Sequence, residues 1–339
     1  MSITDIQPAM PGSLARLPRR KPRLRKFMRW ESLLLLAIAA DFAANAVSSP
    51  YFLDPWTLSD VTTSVAEKAV VAMAMAFLIM AGEIDISVGG TIALCSTAMG
   101  LAARAGMPAP VIIAASVVTG LVAGCINGML VTRLRVPSIV ATIGTMTLFR
   151  GIAYAVLGDG VVKTYPASLL WLGQGFVIGP VSFELVFFIV IAAFAVMLLH
   201  FTAFGRRVIA TGSNPVAARM SGIDVGRLRF GLFAAVGVAA SLAAMLLTAR
   251  LGSTRPSVAQ GWELDIVTMV VLGGVAIEGG IGSIPGVILA AILMGLVTFG
   301  LGLLNVPGIV MAVVTGAMLI AVVAIPALSR RLGLAAGRR

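Results

Sequence analysis

The sequence predicts an all-α polytopic membrane protein of about ten transmembrane helices, from its composition, its glycine content and the placement of its charges. Of the 339 residues, 59% are apolar and 12% are charged, and the mean hydropathy is +1.03. Water-soluble domains have about 45–50% apolar and about 25% charged residues. The apolar runs are continuous and many approach the roughly 20 residues of a spanning helix, which favours helices over a barrel. The 37 glycines suit helices that pack closely or break.

The first span is predicted at residues 30–47, after a basic tail. Eight of the 25 basic residues lie before this run, and the positive-inside rule places them in the cytoplasm. Residues 1–29 are therefore expected to form a basic cytoplasmic tail. The sequence around Ala44 loosely imitates a signal-peptide cleavage site, but we expect the helix to be retained.

The next two spans are predicted as a broken hairpin. Residues 49–68 hold three acids and one lysine, as expected of an external segment, so span two starts at about Ala69. It runs for only about 13 residues before a glycine-containing break at residues 82–90. Span three then extends from about Thr91 to Ala105.

A basic internal loop lies between spans six and seven. Four spans are predicted at residues 109–131, 137–157, 176–201 and 230–249. The loop at residues 202–229 holds five arginines and one acid, so it is expected in the cytoplasm.

The last three spans include a second break. Span eight, residues 266–277, is interrupted at residues 278–286, span nine ends near Leu303, and span ten covers residues 309–325. The transmembrane domain is thus predicted at residues 30–326 and a cytoplasmic tail at 327–339. In this topology 19 of the 25 basic residues lie inside, which predicts a multi-pass membrane protein with both termini in the cytoplasm.

The sequence argues against an enzyme. It holds one histidine, His200, and neither a metalloprotease motif nor a phosphate-binding glycine loop. Cys95 and Cys125 lie in apolar runs without metal-ligand spacing and are interpreted as packing residues. We therefore expect no catalytic residue, metal site or bound cofactor. The basic residues cluster beside spans, so nucleic acid is not an expected partner, whereas membrane lipid is.

The two breaks point to transport, because irregular backbone at membrane depth is tolerated where it is buried or lines a water-filled path. A carboxylate at the bilayer centre costs about 2.5–3.5 kcal/mol on insertion scales. Tight turns with helix caps are one interpretation of the breaks, and contact with a solute is the other. On the second interpretation, the translocation path or its gate comprises Glu83, Asp85, Ser87, Gly89, Gly279, Gly280 and Ser283.

Two further charges are predicted at similar depth. At about 1.5 Å per residue, Arg150 lies roughly 20 Å from the inner end of span five and Glu184 roughly 12 Å from the outer end of span six. In a core of about 30 Å these depths nearly coincide. An intramembrane ion pair is one hypothesis; the alternative is that span six starts later and Glu184 is interfacial.

The internal loop contains signals for a short helix. Asn214 suits the N-cap, Pro215 the first helical position, and Gly222 the stop. Such a helix is too short to be stable alone, so it must dock on a partner or lie as a solvated or headgroup-bound basic face. The residues at and around this short helix are Gly212, Asn214, Pro215, Ala217, Ala218, Arg219 and Gly222.

Four segments of the chain resemble permease subunits of bacterial ABC sugar importers of the ribose, xylose and arabinose class. Glu83 stands where that family usually has glycine, and residues 49–56 and 82–85 look most like rhamnose-type permeases. The segments cover residues 81–89; 127–128 with 136–144; 212–214 with 217–223; and 271–274 with 279–286.

The resemblance implies a ten-span subunit of the bacterial inner membrane that dimerises with an identical or paralogous permease. It implies that a periplasmic binding protein delivers a monosaccharide to the subunit. Rhamnose is the favoured monosaccharide, and ribose and xylose are the alternatives. Cytoplasmic ABC ATPases are expected to bind the ATP. The loop between spans six and seven would insert a coupling helix into the ATPase, which makes the seven residues at and around the predicted short helix the candidate coupling residues. An ion-coupled secondary transporter and an autoinducer-type furanosyl permease are the alternatives.

Overall fold

The computed structural model describes residues 24–331, which form thirteen helices and one small hairpin of two antiparallel strands. The elements are α1 (Leu24–Ser48), α2 (Pro55–Met80), α3 (Val88–Arg104), α4 (Ala109–Thr132), α5 (Ser138–Leu157), α6 (Ala167–Gln174), β1 (Phe176–Ile178), β2 (Val181–Ser182), α7 (Phe183–Phe201), α8 (Ala203–Ser213), α9 (Pro215–Met220), α10 (Val225–Leu251), α11 (Trp262–Leu272), α12 (Ile284–Leu303) and α13 (Gly308–Arg331).

The architecture confirms an all-α polytopic membrane protein. Seven of the described helices are long and apolar enough to cross a bilayer: α2, α4, α5, α7, α10, α12 and the part of α1 from Trp30. The other predicted spans correspond to α3, α11 and α13, whose apolar stretches are shorter. Most of the two predicted tails, residues 1–23 and 332–339, lies outside the described residues. Residues 24–29 and 327–331, also assigned to the tails, continue α1 and α13.

The predicted start of span two was wrong. The helix begins at Pro55, because the Asp54 carboxylate accepts hydrogen bonds from the backbone N–H groups of Trp56 and Thr57 and so caps it. Residues 55–68, predicted as an external segment, are therefore helical. From Val65 onward α2 is almost wholly buried, and only the connection after Met80 is broken.

Other boundaries also differ from the prediction. α11 ends at Leu272, five residues before the predicted end of span eight, so the second break starts earlier than expected. Residues 176–182, assigned to span six, form the β1–β2 hairpin, and α7 starts at Phe183 with Ser182 as its cap. The internal loop is largely helical: α8 and α9 fill residues 203–220, and α10 already begins at Val225.

Close helix contact at glycines fixes the centre of the bundle. A Cβ atom on Gly120 of α4 would overlap the carbonyl oxygen of Gly237 on α10, and one on Gly124 would overlap that of Phe233. Small residues at such positions let helix backbones approach in a membrane, where dispersion contacts replace the hydrophobic effect. This contact holds α4 against α10, which also packs on α2 and α3.

Candidate coupling and translocation site

The short helix α9 has the predicted caps. The Asn214 Oδ1 atom accepts hydrogen bonds from the backbone N–H groups of Val216 and Ala217, both at 3.0 Å. Pro215 occupies the first turn, and Gly222 adopts a φ of 82°, the left-handed conformation that ends many helices. Ala218 is buried against the bundle, whereas Ala217 and Arg219 are exposed. The helix thus has an exposed outer face and is anchored to the bundle by its inner face.

Both glycine breaks meet the end of α8, one residue before the cap of α9. The Gly280 N–H donates a hydrogen bond of 2.8 Å to the Met80 carbonyl oxygen. A Cβ atom on Gly212 would overlap that same oxygen, and one on Gly280 would lie 2.5 Å from Ser213 Oγ. We call this contact the junction; it comprises residues 80–83, 212–213 and 279–280.

A charged side chain from α10 closes the junction. Arg229 forms an ion pair with Glu83, and its Nη2 donates a hydrogen bond of 3.1 Å to the Ala81 carbonyl oxygen. The two side chains are only 21% and 11% exposed. They line a pocket of about 520 Å³ that Arg135 and Arg219 also line. Arg229 therefore ties α10, which follows α9, to the first break.

Beyond Glu83 the chain runs as an extended segment whose polar groups are satisfied internally. The Ile86 N–H donates a hydrogen bond of 3.1 Å to Thr142 Oγ1 on α5. Asp85 Oδ1 accepts hydrogen bonds from the N–H and hydroxyl of Ser87, at 2.8 and 2.6 Å. Asp85 Oδ2 accepts one of 3.2 Å from Asn127, which in turn accepts one of 2.7 Å from Thr145. Asp85 and Ser87 thus hold this segment against α4 and α5.

Gly89 lies away from the junction, against the segment between α10 and α11. A Cβ atom there would lie 2.9 Å from the Ala259 carbonyl oxygen and would overlap the Glu263 carboxylate. Arg150 Nη1 donates hydrogen bonds to the carbonyl oxygens of Pro256 and Val258, at 3.0 and 3.1 Å. Glu263 Oε2 is buried without a hydrogen-bond partner. The three segments form a second polar contact deep in the bundle.

The predicted ion pair between Arg150 and Glu184 was wrong. Arg150 instead donates its hydrogen bonds to carbonyl oxygens of the segment before α11. Glu184 is fully buried in the first turn of α7, and neither of its carboxylate oxygens has a hydrogen-bond partner. Similar depth did not bring the side chains together, because depth along a helix says nothing about the direction in which a side chain points.

Ser283 also lies outside the junction. It caps α12 by accepting a hydrogen bond from the Gly286 N–H, and its hydroxyl donates one of 2.9 Å to Glu31 on α1. The structure therefore brings Glu83, Gly279 and Gly280 to the junction, groups Asp85 with Ser87, and places Gly89 and Ser283 elsewhere.

Sequence reasoning missed two ion pairs at the middle of α2. Glu67, which is fully buried, accepts hydrogen bonds of 2.8 and 3.0 Å from Arg250 on α10. Lys68 pairs at 2.6 Å with Asp265 on α11 and lies 5.1 Å from the ring centroid of Trp262. The Asp-Pro pair at residues 54–55, an N-cap signal, could have shown that these residues are helical.

Hydroxyl groups fix the start of the segment between α10 and α11 against the middle of α3. Thr254 Oγ1 lies 2.7 Å from Ser96 Oγ and 2.6 Å from the Tyr165 hydroxyl. Burial raises the pKa of the Tyr165 phenol, and its hydrogen bond with Thr254 acts in the opposite direction. The phenol is therefore neutral at physiological pH and serves as a hydrogen-bonding group.

Several curated proteins are similar to the chain over most of its length. It is 34% identical over 306 residues to the autoinducer 2 import system permease protein LsrD of Salmonella paratyphi A, covering 87% of this chain and 90% of that protein. The LsrD protein of Klebsiella pneumoniae is 33% identical, with 87% and 91% covered. The LsrC protein of Salmonella choleraesuis is 34% identical over 264 residues, with 78% and 76% covered. No solved structure matches the chain.

The family match spans most of the helical bundle. Residues 57–323 match the family described as "Branched-chain amino acid transport system / permease component". This range contains α9, both breaks and the Arg229 contact. The match confirms the resemblance to ABC importer permeases that the four motifs indicated. The chain belongs to this family of membrane transport permeases.

Proposed function

We propose that the chain is the transmembrane subunit of an ATP-driven importer for a sugar-like solute in the bacterial inner membrane. The observation that carries this proposal is the junction, where both broken connections meet the residues that precede α9. A docked α9 can therefore act on both breaks at once. ATP hydrolysis is assigned to partner ATPases, and this chain binds no cofactor of its own.

The orientation follows from charge. The segment containing α8, α9 and the start of α10 holds five arginines against one acid, so the positive-inside rule places it in the cytoplasm. Both termini then lie on the same side. An ATPase that closes on the outer face of α9 would move the end of α8 relative to the first break. It would also move the start of α10, and Arg229 would transmit that movement to the break, as in other rigid-body transitions.

The solute is proposed to be a small polyhydroxylated molecule, with autoinducer 2 as the first candidate. The curated relatives are named as autoinducer 2 permeases, which favours the furanosyl alternative over the rhamnose preference drawn from residues 49–56 and 82–85. Rhamnose, ribose and xylose are the comparison solutes for the test.

The proposed partners are a cytoplasmic ABC ATPase, a periplasmic binding protein and a second permease. Because both LsrC and LsrD proteins resemble the chain over most of its length, we propose a paralogous permease as the partner in the membrane. An identical copy is the alternative, and co-purification of differently tagged permeases distinguishes the two.

Uptake into proteoliposomes tests the function. The vesicles contain both permeases and the ATPase, the binding protein is added outside and ATP is enclosed. We expect uptake only when the binding protein, the ATPase and ATP are all present, and no change on adding an ionophore. Uptake that does not require ATP and that an ionophore abolishes would instead support the ion-coupled alternative. For that alternative, the unpartnered Glu184 carboxylate is a suitable ion-binding group.

Competition separates the candidate solutes. Labelled autoinducer 2 is offered with an excess of unlabelled rhamnose, ribose or xylose. We expect self-competition by autoinducer 2 and little effect of the three monosaccharides. Vesicles that accumulate rhamnose but not autoinducer 2 would refute the proposed solute without contradicting the ATP-driven mechanism.

A further inference from the structure

An apolar groove and a basic pocket lie end to end on one face of the bundle. The groove, about 330 Å³, is lined entirely by apolar residues of α2, α7, α10 and the start of α8. The pocket, about 490 Å³, is lined by residues around the connection from α9 to α10 and by Arg207 of α8. The Phe204 side chain lines both. The two cavities therefore meet at this ring.

The groove has the length of one lipid leaflet. It follows α10 from Leu232 to Leu242, ten residues or about 15 Å of helix. This is half of the roughly 30 Å hydrocarbon core of a bilayer. On the α7 side it is bounded by Ile191 and Phe194, and the latter is 54% exposed. The groove thus opens to the outside of the bundle and can admit an acyl chain.

The boundary between groove and pocket is held by packing. The ring of Phe204 lies 6.1 Å from that of Phe77 on α2, centroid to centroid. The following residue, Gly205, has no room for a Cβ atom because its backbone packs directly on Leu199 of α7. The turn from α7 into α8 is therefore tight and fixes where Phe204 lies.

The pocket carries positive charge at the end of the groove. Arg207 is exposed and, among the described side chains, takes part in no ion pair. Arg227, with a side chain 91% exposed, pairs with Asp224, the one acid that lines the pocket. Gly222 has nothing within 4 Å of the position of a Cβ atom, which leaves space beside both arginines.

We infer that the groove and the pocket together bind one anionic phospholipid, with an acyl chain in the groove and the phosphate at Arg207 and Arg227. Basic side chains at the membrane surface attract anionic headgroups, and apolar burial holds the chain. The site lies beside Gly222, so the lipid contacts the connection that follows α9. The inference rests on the membrane orientation of the proposed function but not on the transported solute or on ATP.

Native mass spectrometry of the purified full chain tests the inference. The protein in detergent is titrated with phosphatidylglycerol or with phosphatidylcholine of the same acyl chains, and the fraction carrying one lipid is measured. We expect phosphatidylglycerol to be retained at lower concentration. Arg207→Gln should weaken its retention about fivefold, the effect of one basic residue near an anionic membrane surface, and leave phosphatidylcholine unchanged.

A neighbouring arginine supplies the matched control. Arg206 is exposed on the same helix but does not line the pocket, so Arg206→Gln should keep the preference. An equal loss in both variants would show a general charge effect and overturn the site, as would retention of phosphatidylglycerol by Arg207→Gln at the unaltered concentration.

The groove is tested by filling it. Ala235 is an exposed groove residue of α10, and Ala235→Phe should lower retention of both lipids, whereas Val190→Phe on an exposed face of α7 outside the groove should not. Unchanged retention in Ala235→Phe would overturn the acyl-chain assignment. Soluble glycerol 3-phosphate should not displace the lipid; displacement would show that the pocket alone takes a free phosphate.

Discussion

Replacing Arg229 by glutamine should weaken both the fold and the coupling of transport to ATP. Arg229 neutralises Glu83, whose side chain is 11% exposed, and also donates to the Ala81 carbonyl oxygen. The variant keeps a polar side chain of similar reach but leaves a nearly buried carboxylate without its cation. The first break would then be held to α10 much less firmly.

The size of the effect follows from burial. Breaking a fully buried ion pair costs about 3–5 kcal/mol, and an exposed pair contributes about 0–1 kcal/mol. Because the Arg229 side chain is 21% exposed, we place the loss in stability at about 2 kcal/mol, between these limits. Glu83→Gln should cost less, about 1 kcal/mol, since Arg229 keeps its bond to the Ala81 carbonyl oxygen. The double variant should therefore lose less than the sum of the two single variants.

The assay combines the thermal unfolding midpoint of the purified chain with ATP-driven uptake by the proteoliposomes. Arg206→Gln is the control, because Arg206 is exposed and takes part in no ion pair among the described side chains, so it should leave both readouts unchanged. Strict additivity of the Arg229 and Glu83 variants, or equal behaviour of Arg229→Gln and Arg206→Gln, would refute the role given to this contact.

Three further predictions, two of them with a comparison variant, concern the packing of the bundle and are checked by the unfolding midpoint. Arg250→Ala leaves the fully buried Glu67 carboxylate unpaired and should lower the free energy of unfolding by about 3–5 kcal/mol. Lys68→Ala breaks a partly exposed ion pair and should lower it clearly less. A larger loss in Lys68→Ala than in Arg250→Ala would contradict the assigned burial. Gly237→Ala would push a Cβ atom into the Gly120 carbonyl oxygen and should lower the free energy of unfolding by about 1–3 kcal/mol. Gly231→Ala, on the same helix, places its Cβ atom in open space and should leave that free energy unchanged or raise it slightly. Asn127→Ala removes a donor to Asp85 and an acceptor for Thr145 and should cost about 1–3 kcal/mol; an unaltered midpoint would show that other groups satisfy these atoms.

Local signals predicted α9 because all of them lie within nine residues. The Asn214-Pro215 start and the Gly222 stop act through backbone geometry that depends only on neighbouring residues. The same kind of signal at Asp54-Pro55 marks the start of α2, but the charges at Glu67 and Lys68 outweighed it and led to a loop assignment. Hydropathy alone does not distinguish a solvated charge from one paired inside a membrane bundle.

Long-range contacts could not be predicted from the sequence. Glu67 and Arg250 lie 183 residues apart, and the junction joins three segments that are far apart in the chain. Estimating depth brought Arg150 and Glu184 to the same level, but a contact also requires that the helices be neighbours and that the side chains face each other. Glycine composition indicated close approach, and only the structure shows that Gly212, Gly279 and Gly280 approach one another.

The coupling role of α9 is the central claim, and ATP-driven uptake by an Ala217→Glu variant tests it most directly. Ala217 lies exposed on α9, whereas its neighbour Ala218 is buried, so an acidic side chain at 217 alters the outer face without entering the bundle. Ala217→Ser is the control of nearly native size. We predict that Ala217→Glu keeps the native unfolding midpoint and loses at least nine tenths of the uptake, while Ala217→Ser transports normally. Normal ATP-driven uptake by Ala217→Glu would contradict the account.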